Sequence, residues 1–185
     1  MIRRTAPLIV LLLAAARLGA AALPQNPFAS RPEKEHALLS QVTGTWKTTF
    51  HLSIPGAPPI ESHGTEVNEK LGELWVVGRY DDPGMGGQRF AGVQIFGYDP
   101  VKKKYVAAWA DSESSSLSLQ EGTFDATTRT LTLSGPSIDP MTHKESTSRS
   151  VMQWTDDDHR VQKLYAPGPG GKEMEIFTIE YERAK

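Results

Sequence analysis

Gly44-Thr45-Trp46-Lys47-Thr48-Thr49-Phe50-His51-Leu52 alternates in character at every second position. One parity of this segment carries Trp46, Thr48, Phe50 and Leu52, and the other carries mostly polar residues. A period of two residues is typical of a strand with one buried face. Gly44 permits a sharp turn into the strand, and we expect Trp46 to close one end of a barrel. The segment therefore predicts the first strand of a sheet that encloses a core.

A short helix is predicted immediately before this strand, over residues 33–42. Its apolar side chains fall on one side at helical spacing: Ala37, Leu38, Leu39 and Val42. Two acidic residues in its first turn suit the positive end of a helix, and Gly44 ends it. Residues 23–32, which are polar and contain proline, are predicted to be a linker.

Nine further strand-like runs follow the first one, at residues 61–70, 73–81, 88–98, 104–111, 115–124, 129–135, 145–155, 160–166 and 173–183. Several are joined by turns that begin at an aspartate, as in Tyr98-Asp99-Pro100, Phe124-Asp125-Ala126, Ile138-Asp139-Pro140 and Trp154-Thr155-Asp156. Asp and Pro are typical of tight turns, so consecutive strands should be antiparallel neighbours. The pattern predicts an all-β, up-and-down antiparallel barrel of about ten strands over residues 33–185, with one short N-terminal helix.

The beginning of the chain predicts export. Arg3 and Arg4 precede an apolar run, and Ala20-Ala21-Ala22 offers a cleavage site, so residues 1–22 are predicted to be a signal peptide. The apolar run is too short to span a bilayer of about 30 Å, so we expect no stable membrane anchor. The chain contains no cysteine. A periplasmic or extracellular location is therefore expected.

The charge balance argues against nucleic acid as a partner. The whole chain has a formal net charge of −2, and removal of the predicted signal peptide takes away three arginines and makes it more acidic. Nucleic-acid binding requires a basic patch. The only basic cluster, Lys102-Lys103-Lys104, lies in a predicted hairpin turn, where solvated charge is ordinary.

A set of short motifs resembles a known family: His36-x-Leu38-Leu39, Gly44-Thr45-Trp46, Gly97-Tyr98-Asp99, Lys104-Tyr105-Val106, Trp109-x-Asp111-Ser112, Gly122-x-Phe124-Asp125 and Ile179-Glu180-Tyr181-x-Arg183. Together they resemble domain-of-unknown-function family 1579, whose members are bacterial, often exported and similar to the calycin barrel. The resemblance implies a calycin-like, lipocalin-like fold and, by analogy, small-molecule binding inside the barrel. It implies no catalytic residues.

Eight residues are predicted to line the barrel and to bind a ligand: Trp46, Trp75, Arg79, Phe90, Gln94, Tyr98, Trp109 and Asp111. Trp109 and Asp111 share a parity with Tyr105, and Arg79 shares one with Trp75. An inward Arg79 or Asp111 would serve as a polar anchor in an apolar cavity. The alternative for Asp111 is a purely structural role, in which it caps the turn into Ser112.

No cofactor, metal or catalytic residue is predicted. Asp156-Asp157-Asp158-His159 and Asp81-Asp82 lack the spacing of known metal sites. The last predicted strand has no histidine, so haem ligation is not expected. The preferred function is the binding of a small, partly apolar molecule. The alternatives are an enzyme acting on a small substrate in the cavity, or an interaction module that uses the loops at residues 55–60 or 82–88. The sequence leaves the ligand and the oligomeric state open.

Overall fold

Ten antiparallel strands close into a barrel in the computed structural model, which describes residue 26 and residues 29–52, 58–138 and 145–185. The predicted signal peptide, residues 1–22, lies outside the described residues, as does most of the predicted linker. Residues Arg31–Lys185 form one compact unit. Within the described residues, no helix is long and apolar enough to cross a membrane.

The elements follow one another along the chain without any large insertion. A 3₁₀ turn, Lys34–Ala37, leads directly into helix α1, Leu38–Val42. The strands are β1 Gly44–Leu52, β2 Ile60–Leu71, β3 Trp75–Asp82, β4 Phe90–Asp99, β5 Lys104–Asp111, β6 Ser118–Asp125, β7 Thr130–Ile138, β8 Glu145–Trp154, β9 His159–Pro167 and β10 Glu173–Arg183. Two short 3₁₀ turns, Met85–Gly87 and Pro169–Gly171, lie in the connections before β4 and β10.

Every strand pairs with its neighbours in sequence, and β1 pairs with β10 to close the ring. This arrangement is the predicted up-and-down barrel, and the predicted fold class is confirmed. The predicted bounds differ from the structure mainly at two strands. β6 begins at Ser118, because residues 112–117 form a turn, and β7 continues through the exposed Pro136 to Ile138.

Helix α1 and the turn before it cover one end of the barrel, which we call the packed end. Leu38, Leu39 and Val42 are buried there in a cluster that also contains Val76, Phe96, Tyr98, Tyr105, Leu131, Leu133 and Trp154. The hydroxyl of Tyr105 donates to the carbonyl of Glu35 at 2.8 Å, and burial raises the pKa of Tyr105 to about 12. The packed end is therefore a continuous hydrophobic core that anchors the helix.

Trp46 links the helix to the first strand. Its side chain is fully buried, and its indole N–H donates to the carbonyl of Val42 at 2.9 Å. Gly44, which opens the strand, has φ +120°, and a Cβ there would lie 2.6 Å from Nη1 of Arg183. The glycine thus allows the chain to turn sharply and Arg183 to approach the backbone.

Candidate functional site: the hollow half of the barrel

The half of the barrel away from α1 differs from the packed end in how far its interior is exposed. Side chains at the packed end, such as Trp46 and Val76, are almost completely buried. In the other half, inward-facing Phe90, Gln94 and Trp109 are only half-buried. Solvent reaches these three inward side chains, although Tyr80 and Asp82 beside them are buried, so this half is partly open to solvent. We call it the hollow.

Inward positions follow from strand register and burial. In β3 the buried positions are Val76, Gly78, Tyr80 and Asp82, and they pair with inward positions of β4 through Gly78↔Gln94 and Tyr80↔Gly92. β5 continues the same layer through Gln94↔Trp109 and Gly92↔Asp111. Aromatic and polar side chains of these three adjacent strands therefore lie side by side on one wall of the hollow.

Three aromatic rings form one wall of the hollow, which we call the aromatic wall: Tyr80, Phe90 and Trp109. Phe90 lies 5.9 Å from Tyr80 and is stacked at 6.4 Å on Trp109, with 21° between the planes of Phe90 and Trp109. Gly92 makes room for the indole, because a Cβ there would lie 2.2 Å from a ring carbon of Trp109. The wall offers flat apolar surface of the kind that stacks on a ring-bearing ligand.

Asp111, at the end of the aromatic wall, accepts hydrogen bonds with both of its carboxylate oxygens. One of its carboxylate oxygens accepts the indole N–H of Trp109 at 2.9 Å. The other accepts the backbone N–H groups of Glu113 and Ser114 at 2.9 and 2.8 Å. Asp111 therefore faces inward and also caps the turn after β5, so its oxygens are already engaged.

A buried polar cluster lies beside Tyr80. Asp82 is fully buried and accepts the hydroxyl of Ser62 at 2.5 Å and the backbone N–H of Gly84 at 2.9 Å. The Tyr80 hydroxyl lies 3.5 Å from Asp82 and accepts a hydrogen bond from Thr48 at 3.3 Å. Burial, with the nearby Asp82 and Glu66 charges, raises the pKa of Tyr80 to about 12. The phenol thus stays protonated near neutral pH.

The opposite wall, which we call the polar wall, is built from amides and hydroxyls of β6, β8 and β9. Gln120 donates to Ser148, and Gln162 donates to Ser150, each at 3.0 Å. Gln162 also accepts the hydroxyl of Tyr181 at 2.9 Å. Gln94, half-buried on β4 opposite Trp109 of β5, has no hydrogen-bonding partner among the described residues. The polar wall therefore offers uncharged donors and acceptors.

An ion pair between Arg160 and Glu66 lies below the hollow, toward the packed end. Nη2 of Arg160 donates to Glu66 at 2.6 Å, and Asn68 donates to the same carboxylate oxygen at 2.6 Å. The guanidinium lies 4.2 Å from the ring centre of Trp46 and 4.4 Å from that of Tyr181. Burial and the Glu66 charge raise the pKa of Tyr181 well above its ordinary value.

Three buried donors in this region have no acceptor among the described residues: Nε and Nη1 of Arg160 and the indole N–H of Trp154. Trp154 and Arg160 are paired across β8 and β9, so these donors belong to neighbouring inward positions. Burial of unpaired donors is costly. We call the Arg160–Glu66 ion pair the floor of the hollow. Because two donors of Arg160 are buried without an acceptor, this ion pair is not a simple source of stability.

Six of the eight residues predicted to line the barrel face inward. Phe90, Gln94, Trp109 and Asp111 lie in the hollow, whereas Trp46 and Tyr98 belong to the packed end. The structure differs for Trp75 and Arg79, which occupy the outer parity of β3. Trp75 covers the outer side of Gly97, and Arg79 is exposed beside Asp81 and Val93. Whether any of the eight binds a ligand stays a prediction.

The predicted orientation of β3 was wrong because apolar residues occupy both faces of this strand. Its register is decided by pairing with β2, where Glu66 lies opposite Tyr80. The inward residues of β2 are Ser62, Gly64, Glu66 and Asn68, which are polar or lack a side chain, so sequence alone could not place them. The same holds for Arg160. A usable signal was present in β8, where Ser146, Ser148 and Ser150 share one parity.

The described histidines lie outside the hollow. His36 is in the turn before α1 and packs on Tyr98, His51 and His63 contact Glu61 on the outer face, and His159 contacts Asp156 in the turn before β9. Across residues 29–52, 58–138 and 145–185, no three His, Asp or Glu side chains are grouped so that they could hold a metal ion. His143 lies outside the described residues.

The closed ten-stranded meander with a helix over one end defines a calycin-like barrel. The chain belongs to the family described as a protein of unknown function, DUF1579, whose model matches residues 31–183. The predicted family is therefore confirmed. Among curated protein sequences, none matches the chain.

Two solved structures share the fold. The crystal structure of Rv2717c from M. tuberculosis superposes with a TM-score of 0.64 at 16% identity and covers 83% of this chain and 99% of its own. The S-type phycobiliprotein lyase CPES from Guillardia theta superposes with a TM-score of 0.54 at 9% identity, with the same two coverages. At such identities the similarity establishes the fold alone.

Proposed function

We propose that the protein binds a small, partly apolar molecule in the hollow. The observation that carries this proposal is the contrast between the two halves of one barrel. The packed end is filled with buried side chains, while inward Phe90, Gln94 and Trp109 remain accessible. A concave site with apolar walls and a few convergent polar groups is the usual form of a small-molecule site.

The fold neighbours are consistent with this proposal at the level of architecture. One of them is a phycobiliprotein lyase from Guillardia theta. Its identity of 9% transfers no substrate and no residue to this chain. The proposal therefore rests on the hollow itself.

Binding rather than catalysis is proposed because of the groups that the hollow contains. Tyr80 and Asp82 are titratable inward groups close to one another, with 3.5 Å between the hydroxyl and the carboxylate. The pKa of Tyr80, raised to about 12, keeps the phenol from acting as a base near neutral pH. Asp82 is fully buried and engaged by Ser62 and Gly84.

The direct test is equilibrium binding of N-phenyl-1-naphthylamine, an uncharged apolar probe, to the purified protein. Trp109→Leu removes an aromatic surface of the hollow, and Trp75→Leu is the matched control on the outer face. We expect the first variant to bind at least about tenfold more weakly and the second to bind like the wild type. No binding by the wild type, or equal losses in both variants, would overturn the proposal.

We also propose that the protein acts outside the cytoplasm. The support is the order of basic residues, apolar run and small residues within residues 1–22, together with the absence of cysteine. Expression of the full chain in a Gram-negative host, followed by fractionation and N-terminal sequencing, checks this. We expect a periplasmic or secreted product that begins at Leu23. An uncleaved cytoplasmic product would contradict it.

A further inference from the structure

We propose that the hollow selects an uncharged ligand and discriminates against anions. This inference rests on the proposed binding function and narrows the class of ligand. Among the described strands, the inward positions of the hollow carry no lysine, arginine or histidine. The inward carboxylates there are Asp82 and Asp111. A ligand carboxylate, sulfonate or phosphate would thus enter a space with no cation to receive it.

Strands β8 and β9 beside the hollow carry three described cations that do not offer it an accessible charge. Arg149 and Lys163 occupy outer positions of β8 and β9 and pair with Glu173 and Glu175 at 2.6 and 2.9 Å. Arg160 faces inward, but its side chain has no exposed surface. Rings of Trp46 and Tyr181 contact it, and Glu66 offsets its charge. The hollow therefore presents no accessible positive charge from these strands.

The inward carboxylates of Asp82 and Asp111 add to the discrimination against anionic ligands. Asp82 accepts hydrogen bonds from Ser62 and Gly84, and Asp111 accepts them from Trp109 and the turn after β5. These contacts satisfy the oxygens with neutral donors, and neither carboxylate has an ion pair among the described residues. A ligand anion near them would be repelled in a space partly walled off from water, where charge interactions are stronger than in bulk solvent.

The remaining polar groups suit a neutral ligand. Among the described residues, Gln94 has no hydrogen-bonding partner, and the amide oxygen of Gln120 accepts no hydrogen bond although its nitrogen donates to Ser148. Such groups bind hydroxyl, carbonyl or amide groups by neutral hydrogen bonds. The aromatic wall supplies a stacking surface on the other side. The ligand class is an uncharged molecule with a flat apolar face and neutral polar groups.

The test uses two probes that differ by one charged group. N-phenyl-1-naphthylamine is neutral, and 1-anilinonaphthalene-8-sulfonate is the same framework with a sulfonate. Dissociation constants are measured by calorimetry on the full mature protein, so that differences in dye brightness do not matter. We expect the neutral probe to bind at least about tenfold more tightly, since an unpaired anion loses its hydration without compensation.

A positive charge introduced inside the hollow tests whether the lack of an accessible cation causes the discrimination against anions. Gln94→Lys should tighten binding of the sulfonate probe by at least about tenfold, while Val93→Lys, which places the same charge on the exposed outer face of the same strand, should leave the preference for the neutral probe unchanged. Thermal melts of both variants confirm that they are folded.

The outcomes separate the two proposals. If neither probe binds, the binding function fails, and this inference fails with it. If the neutral probe binds and the sulfonate binds equally well or better, the binding function stands and this inference is overturned. If Arg160→Met then abolishes the sulfonate binding, the unpaired donors of Arg160 are the anion site that the inference denies.

Discussion

The guanidinium of Arg183 lies 4.1 Å from the ring centre of Trp46, at the point where the last strand meets the first. It also donates to the carbonyls of Thr43 and Gln41, at 2.7 and 3.1 Å, at the C-terminal end of α1. The side chain of Arg183 therefore connects the first strand, the last strand and helix α1.

We expect Arg183→Ala to lower the free energy of unfolding by about 2–4 kcal/mol, because it removes charge-assisted hydrogen bonds, a cation–π contact and the donor to the partly buried carbonyl of Thr43. Urea denaturation followed by tryptophan fluorescence measures the loss. Arg79→Ala is the control: this exposed arginine makes no ion pair among the described residues, so its replacement should change stability by less than about 0.5 kcal/mol. Equal effects of the two variants would show that Arg183 does not hold the closure.

Gly92 is expected to be indispensable to the shape of the hollow. Gly92→Ala places a methyl group within 2.2 Å of the indole of Trp109, so the ring must move or the strand must shift. We expect a loss of about 1–3 kcal/mol in stability and weaker binding of N-phenyl-1-naphthylamine. Gly84→Ala is the matched control, because a Cβ there meets nothing within 4 Å. Unchanged melting and binding in Gly92→Ala would mean that the indole has another place to lie.

Glu121 is expected to titrate well below the ordinary pKa of a glutamate. Hydrogen bonds from Lys104 and Lys102 on the outer face lower its pKa from 4.5 to about 2. A carboxyl group with a lowered pKa contributes stability above its ordinary value and loses it as the pH falls toward the folded value. We therefore expect an NMR titration midpoint near 2 for Glu121. Lys104→Ala should move that midpoint toward 4.5, and an unchanged midpoint would show that the lysines do not hold the carboxylate.

The strands were predictable from sequence because one face of each meets the core. In β1, β7 and β10 the alternation of apolar and polar residues marks that face directly, as in Leu131 and Leu133. In β3 the alternation is not informative, since Trp75 and Val77 on one parity are as apolar as Val76 and Tyr80 on the other. Only the pairing with β2 decides which set faces inward. The predicted register of β3 was off by one residue, so Trp75 and Arg79 face outward although they were expected to face inward.

The polar interior could not have been found by local pattern. Glu66 and Arg160 are 94 positions apart, and each looks like an ordinary outer residue of its strand. The polar wall has the same difficulty, because Ser148 and Gln120 resemble solvent-facing residues. Sequence alternation locates cores that exclude water and misses the interior of a barrel that admits it.

A double-mutant cycle tests whether Glu66 and Arg160 form a closed, buried ion pair at the floor of the hollow. Glu66→Gln leaves the Arg160 charge buried without a counter-charge, and Arg160→Met leaves Glu66 in the same condition. Each single change should cost about 3–5 kcal/mol, whereas the double variant should lose much less than the sum, because no charge remains unpaired. Urea denaturation of all four proteins gives the coupling energy. If the losses simply add, the two side chains do not compensate one another in solution, and the floor of the hollow does not contain the closed ion pair seen here.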